Sequence, residues 1–288
     1  MLFRPSLVLG LLSLAASGAL SAGETVYPTW DGKEDMAAYA KRAGLEPALT
    51  LDLGGGVTWQ GVLVPAGTFV MGSPAGEART EKDSAIEKQH QVTITRPYYL
   101  GKHETTQAQY EKVTGTNPSP TKGGDLPVHN LSWQDAQSFC EKMAGLTGRE
   151  VQLPTEAQWE RACRAGTTTA YYNGSDIAGL DKIAWHGGNS DRKPHPVGQK
   201  EANAWGLYDM LGNAREFVRD LYSGEPLADA VDPTGPKEGD VKNHVVRGGA
   251  YTANAAVALN CRSACRKPTE ALMMNGFRCM VAVPAAIK

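Results

Sequence analysis

Asp209 and Glu216 stand seven residues apart in the run Gly206-Leu207-Tyr208-Asp209-Met210-Leu211-Gly212-Asn213-Ala214-Arg215-Glu216-Phe217. Both are hard oxygen donors, and the Leu211-Gly212-Asn213 turn between them can face main-chain carbonyls inward beside the carboxylates. Several oxygens of mixed side-chain and main-chain origin form the ligand set that Ca²⁺ prefers. The same residues also read as a helix start, with Asp209 and Asn213 as caps and Glu216 favoured by the helix dipole. Other groups with chemical potential carry weaker patterns. His186 and His195 are the best-placed histidines for a metal, yet no third ligand stands at zinc spacing, so they read as surface residues. Glu156 and Glu160 read as capping and surface salt-bridge residues rather than as catalytic carboxylates.

The five cysteines, Cys140, Cys163, Cys261, Cys265 and Cys279, all fall in the second half of the chain. Their reading depends on the compartment. Residues 1–22 have a short positive start, an apolar run from Leu7 to Leu14 and small residues at Ala19, Ser21 and Ala22, the pattern of a secretory signal peptide. That apolar run is shorter than the ~20 residues a membrane span needs. The expectation is an exported protein, periplasmic or extracellular, with no membrane contact after signal cleavage. In an oxidising compartment disulfides are the default, and an odd count leaves one thiol over. Formal net charge is −2, from 29 basic and 31 acidic residues in 288, which gives no nucleic-acid footprint and no polybasic membrane patch.

The elements that must position these groups are short. Thirty-two glycines and seventeen prolines, scattered along the chain, point to many turns and irregular connections. Residues 23–56 read as an N-terminal extension with a helix over Asp35–Ala43 that stops at Gly44. Leu49–Leu53 and Val57–Val64 read as a hairpin around Gly54-Gly55-Gly56, and Thr68–Ser73 as a further strand. Pro74–Gln89, polar and without hydrophobic period, reads as a surface loop. Strands are expected over Gln91–Thr95 and Tyr98–Lys102, then a helix over Ala108–Val113 capped by Thr105 or Thr106. Ser132 caps a helix from Trp133 to about Gly145, whose Trp133, Ala136, Phe139, Cys140 and Met143 share one face. Thr155 and Gln158 form a capping box for the next helix. His244–Tyr251 and Asn275–Val283 read as closing strands.

Four blocks in order, "LVPAGTFVMGS" at 63–73, "LPTEAQWERACRAGT" at 153–167, "GLYDMLGNAREF" at 206–217 and "VVRGGAY…CRSACR…NGFRC" at 245–279, resemble the formylglycine-generating enzymes, or sulfatase-modifying factors. The resemblance covers nearly all of the mature chain. It implies an irregular α+β architecture related to C-type lectin-like domains, with small antiparallel sheets and two main helices, over residues 57–284. It also implies a calcium site built from Asp209, Gly212, Ala214 and Glu216, expected to act as a structural cross-link.

Active members of that family hold copper between two cysteines placed shortly after the RGG-S-Y motif. Here those positions are Ala253 and Ala258, the motif serine is Ala250, and Arg215 replaces the first tryptophan of WEW. Copper is therefore disfavoured. Cys261 and Cys265 could supply another thiolate pair only in a helical turn, since four residues of strand span ~13 Å. The resemblance instead implies that Cys140 pairs with Cys279 and Cys163 with a cysteine of the penultimate strand, Cys261 or Cys265; with Cys261 as the partner chosen, Cys265 is left as the free thiol. Three functions follow: a calcium-stabilised binding or accessory module for a peptide, glycan or small-molecule ligand; an oxidoreductase of the same family acting on a small molecule or peptide; or a formylglycine-generating oxidase. A groove lined by Arg215, Tyr251, Asn254 and Arg266 would favour the first if open and the second if deep with perturbed titratable groups.

Overall fold

Local side-chain caps decide where the main helices begin. In the computed structural model, which describes residues 26–283 apart from 75, 78–79, 226–227, 238–242, 253–264 and 269–272, α1 (Met36–Ala43) is capped by Asp35 and ends at Gly44 in the left-handed region. Helices α3 (Gln107–Thr114), α4 (Trp133–Thr147) and α5 (Glu156–Arg164) each start with a capping box, on Thr106, Ser132 and Thr155 respectively. These starts are local chemistry and coincide with the sequence reading. The Pro74–Gln89 segment differs, because Thr80 caps a short helix, α2 (Glu81–Ile86), inside what reads as loop. A sixth short helix, α6 (Leu180–Ile183), lies in the long irregular stretch.

Twelve strands form three sheets among the described residues. β1 (Ala48–Gly54), β2 (Val57–Val64), β5 (Tyr98–Gly101), β12 (Met280–Ala282) and β6 (Val151–Gln152) make a five-stranded sheet in that order. β10 (Lys267–Pro268), β9 (His244–Arg247), β7 (Arg215–Leu221) and β11 (Asn275–Phe277) make the second, and β3 (Gly67–Met71), β4 (His90–Ile94) and β8 (Ala230–Val231) the third.

Strand alternation sends successive side chains to opposite faces, and that divides the core in two. Val64, Tyr98, Leu100 and Met280 join one apolar cluster with Trp159 of α5, while Leu63, Tyr99 and Val281 join another with Tyr110 of α3 and Phe139 of α4. The five-stranded sheet is thus covered by α5 on one face and by α3 and α4 on the other. The N-terminal extension seats on this core: Tyr39 is fully buried, its hydroxyl donating to the Pro28 carbonyl at 2.9 Å and accepting from Ala66 N–H at 3.0 Å.

The closing segment Asn275–Val283 is two strands rather than one. β11 runs parallel to β7, with Gly276 opposite Glu216, and β12 runs antiparallel to both β5 and β6 in another sheet. Gly276 is required by close approach, since a Cβ there would sit 2.4 Å from the Val128 carbonyl oxygen. Between the two strands Arg278 turns into the interior. What it meets there organises the site.

Candidate functional site

The Gly206–Phe217 stretch forms no helix, so the capping interpretation of Asp209 and Asn213 does not hold. Both residues adopt positive φ, 52° and 49°, and Gly212 between them has φ 85°. These bends are held by backbone bonds to three other segments: Tyr208 N–H to Lys102 O (2.8 Å), Gly212 N–H to Gly248 O (2.7 Å) and Asn213 N–H to Trp185 O (2.7 Å). A Cβ at position 212 would lie 2.4 Å from the Trp185 carbonyl oxygen, so only glycine fits this crossing. Asn213 is the hub. Its amide accepts from His195 N–H (3.0 Å) and donates to His195 O (3.1 Å), while its carbonyl accepts from Tyr251 N–H (2.8 Å).

Three buried carboxylates gather below this turn. Glu216, the second residue of β7, accepts from Arg278 Nε (2.7 Å) and Nη2 (2.6 Å) and from Trp159 Nε1 (2.7 Å). Asp209 accepts from Gly198 N–H at 2.6 Å through Oδ2, and its Oδ1 is buried without a partner. Glu104, which no motif or spacing singles out, lies just before the α3 cap and accepts from Ala214 N–H at 3.1 Å. Burial, and then the charges of Asp209 and Glu216, push the Glu104 carboxyl well above its ordinary range. Burial likewise raises Asp209 to about 6, against the lowering pull of Gly198 N–H and Arg278. Arg278 answers all three with one positive charge, and also donates to the carbonyls of Gly101, Tyr208 and Asp209.

Those facts bear on the calcium expectation. A buried cluster of three acids and one guanidinium, with a carboxylate oxygen left unpartnered, has the charge and the open donor that a divalent cation would complete. No group of three or more His, Cys, Asp or Glu side chains converges as a metal site among the described residues. The implied ligand set needs only two side chains, Asp209 and Glu216, with the carbonyls of Gly212 and Ala214 completing it. Of the two carboxylates only Asp209 has an open oxygen, Oδ1; both oxygens of Glu216 are engaged by Arg278 and Trp159.

A second buried network adjoins the first through Trp159, whose ring lies 5.1 Å from the Arg247 guanidinium. Glu156 and Glu160, expected at the surface, are 1% exposed. Arg266 pairs with Glu156 at 2.6 and 2.9 Å, Arg247 donates to Glu160 at 2.5 Å, and Arg164 donates to Glu160 at 2.8 Å. Burial works against the Glu160 carboxylate, but Arg164 and Arg247 hold it below its ordinary range. Asp220 completes the group by accepting from Glu156 N–H at 2.8 Å.

Residues 57–283 match the family model of the sulfatase-modifying factor enzyme 1-like domain. The chain belongs to the sulfatase-modifying factor family. It is 29% identical to a Paenibacillus barcinonensis protein named chaperone protein LppX, over 56% of this chain and 71% of that one. It is 30% identical to the formylglycine-generating enzyme of Bos taurus, over 66% of this chain and 52% of that enzyme. The chain thus spans about half the length of that bovine relative. Treponema denticola variable protein 1 shares the fold with a TM-score of 0.72 and 25% identity, over 83% of this chain and all (100%) of that one. PvdO from Pseudomonas aeruginosa, 22% identical over 83% of this chain and 99% of that one, has a TM-score of 0.68 and shows the fold alone. The irregular α+β architecture is therefore that of the sulfatase-modifying factor family.

Among the described residues, Arg215, Tyr251 and Arg266 do not line one common groove. Arg266 is 2% exposed and spent on Glu156, with its guanidinium over the Tyr222 ring at 5.3 Å. Tyr251 is buried, edge-on to His129 at 6.2 Å, and accepts from Ser190 Oγ through its carbonyl. Arg215 is half-buried and lines a shallow depression with Gly249, Cys265 and Lys267, of about 10 Å³. That is room for a water at most. Asn254, Cys261, Ala253 and Ala258 lie outside the described residues.

Among the described residues no disulfide is formed. The Cys140–Cys279 link implied by the resemblance is absent; both are thiols sealed into the apolar cluster around Phe139 and Phe277, acting as small hydrophobes. Burial, and then the neighbouring Cys279, push Cys140 well up, and burial pushes Cys279 to about 12. Cys163 and Cys265 are also buried. Of the two histidines read as surface residues, His186 is buried and His195 is half-buried. His186 bonds Asp181 through Nε2 at 2.7 Å, and His195 stacks on Trp185 at 3.7 Å.

Proposed function

We propose that this protein is an exported, calcium-stabilised binding or accessory module of the sulfatase-modifying factor family, without copper-dependent formylglycine formation. The observation that carries the reading is Ala253 and Ala258, standing where the resemblance puts the two copper-holding cysteines. Cu(I) needs soft thiolates. Burial keeps Cys140 and Cys279 protonated, which removes them as substitutes. Two relatives by name support a family role other than this oxidation: the LppX chaperone and a Bos taurus protein named inactive Cα-formylglycine-generating enzyme 2, 27% identical over 54% of this chain and 50% of that one.

The deciding experiment incubates purified mature protein with Cu(I), O₂ and a cysteine-containing sulfatase-motif peptide and follows the peptide mass. No conversion is expected. Aldehyde formation would overturn the reading and turn attention to Cys261 and Cys265.

Calcium in this reading is a structural cross-link through Asp209 Oδ1, Glu216 and the carbonyls of Gly212 and Ala214. An ion bound only by the folded state adds about 2.7 kcal/mol when its free concentration is 100-fold above Kd. For a chain of this size that corresponds to a rise in Tm of roughly 5–10 °C. Chelation is expected to lower Tm by that much, and Asp209→Ala to remove the response. A melting curve indifferent to chelator and calcium alike would remove the ion from the proposal.

A further inference from the structure

Five arginines among the described residues are 3% exposed or less, and four of them meet a glutamate: Arg164 and Arg247 on Glu160, Arg266 on Glu156, and Arg278 on Glu216. Arg161 is the exception. Its Nε donates to the Pro65 carbonyl at 2.8 Å, its Nη2 is buried without a hydrogen-bond partner, and no carboxylate among the described residues lies within ion-pair distance. A buried guanidinium without an anion is costly, and an orphaned donor of this kind asks for a partner.

Arg161 lines a cleft of about 340 Å³ between the N-terminal extension and the domain, at the small end of the roughly 300–1,000 Å³ typical of ligand pockets. The walls are aromatic. The guanidinium lies 5.8 Å from the Phe69 ring centroid and 5.6 Å from that of Trp205, and Trp30 packs edge-on against Trp205 at 5.3 Å. The rim is polar. Thr167, Thr168 and Asp31 line it, and Asp31 Oδ1 is engaged by the N–H groups of Lys33 and Glu34. The other cation of the cleft, Arg164, is already bonded to Glu160, the Gly72 carbonyl and the Thr169 carbonyl.

We propose that this cleft binds a sugar acid of the hexuronate type. One uncompensated guanidinium calls for one negative charge, and a carboxylate meets it with the directional, charge-assisted bond that arginine favours. A dianion would be repelled by Asp31 at the rim. The partly exposed apolar rings of Trp30 and Phe69 accept the C–H face of a ring, while Asp31 and the two threonines accept from or donate to its hydroxyls. The inference uses neither the calcium residues nor the copper positions, and the cleft shares no lining residue with the acid cluster.

The test is isothermal titration of the mature protein with D-glucuronate and D-galacturonate, beside D-glucose, the methyl ester of glucuronate and inorganic phosphate. Saturable uronate binding is expected, with the neutral analogues and phosphate at least about ten-fold weaker, the scale of one lost charge-assisted bond. Arg161→Gln should weaken uronate binding by a similar factor or more. Thr168→Glu, on an exposed rim position, should do the same by repulsion without touching the core, and carries the test if the arginine variant fails to fold. A trigalacturonate that binds tighter than the monomer assigns the end of an acidic polysaccharide, and equal affinities assign the free sugar acid. Three results overturn the proposal: no saturable uronate binding up to about 10 mM, glucose or phosphate binding as tightly as glucuronate, or unchanged uronate affinity in the folded variants.

Discussion

Arg278→Met is expected to destabilise the protein by about 3–5 kcal/mol, the cost of stripping the partner from a buried ion pair. At this chain length that is a fall in Tm of roughly 10 °C or more. Arg278 makes two bonds to Glu216 and three to the carbonyls of Gly101, Tyr208 and Asp209, from a site with no solvent exposure. Its loss leaves Glu216, Asp209 and Glu104 buried together without a cation, and three carbonyls without a donor. The measurement is thermal unfolding of the variant in chelator and in calcium. The destabilisation should be largest in chelator, because a bound divalent ion would take over part of the charge. Glu216→Leu added to Arg278→Met should recover part of the loss, since the pair is then removed whole. A Tm within about 2 °C of the original protein in chelator would mean that something other than Arg278 offsets the acids.

Asp220→Asn is expected to act in the opposite direction, and only above a certain pH. Burial, followed by the nearby Glu156 charge, raises the Asp220 carboxyl from 3.8 to about 7, against the lowering influence of Glu156 N–H, Arg219 and Arg266. Because the folded state holds this proton more tightly than the unfolded state, its contribution to stability is complete below about pH 4 and is lost as pH rises through about 7. Above that, the native state carries a buried carboxylate whose cost is roughly 4 kcal/mol on the gap between 3.8 and about 7. Asparagine keeps an oxygen for Glu156 N–H and never ionises. Urea unfolding should therefore show the variant near parity at pH 4 and more stable by roughly 2–4 kcal/mol at pH 8. A difference that does not change with pH would mean that Asp220 is ionised throughout, held by Arg219 and Arg266.

Neither Arg278 nor Asp220 was visible as important in the sequence, and the reason is physical. The legible parts were local: Asp35, Thr106, Ser132 and Thr155 cap helices through neighbours three residues away, and each helix starts where its cap stands. The hairpin around Gly54-Gly55-Gly56 is local in the same way. Glu216 and Arg278, by contrast, are 62 residues apart in the chain, and Glu156 and Arg266 are 110 apart. No period or spacing connects such pairs before the sheets bring them together. Arg266 accordingly reads as a groove residue, whereas it is buried on Glu156. Glu156 and Glu160 occupy helix positions suited to an exposed face, yet α5 is enclosed on nearly all sides, with eight of its nine residues buried. The closing segment reads as one strand because its residues favour extended backbone throughout. The inward turn at Arg278, which hands the chain from one sheet to another, depends on the acid waiting there.

That handover places β12 between β5 and β6, at the interior of the five-stranded sheet rather than at its edge. The strand that joins residues 98–101 to residues 151–152 is thus synthesised after both of them. At about 5–20 residues per second, a ribosome needs roughly 10–40 s to travel from β5 to β12. During that interval the nascent sheet has an open seam, and neither half can close on the other. The order of synthesis therefore postpones closure of this sheet until residues 280–282 have been made.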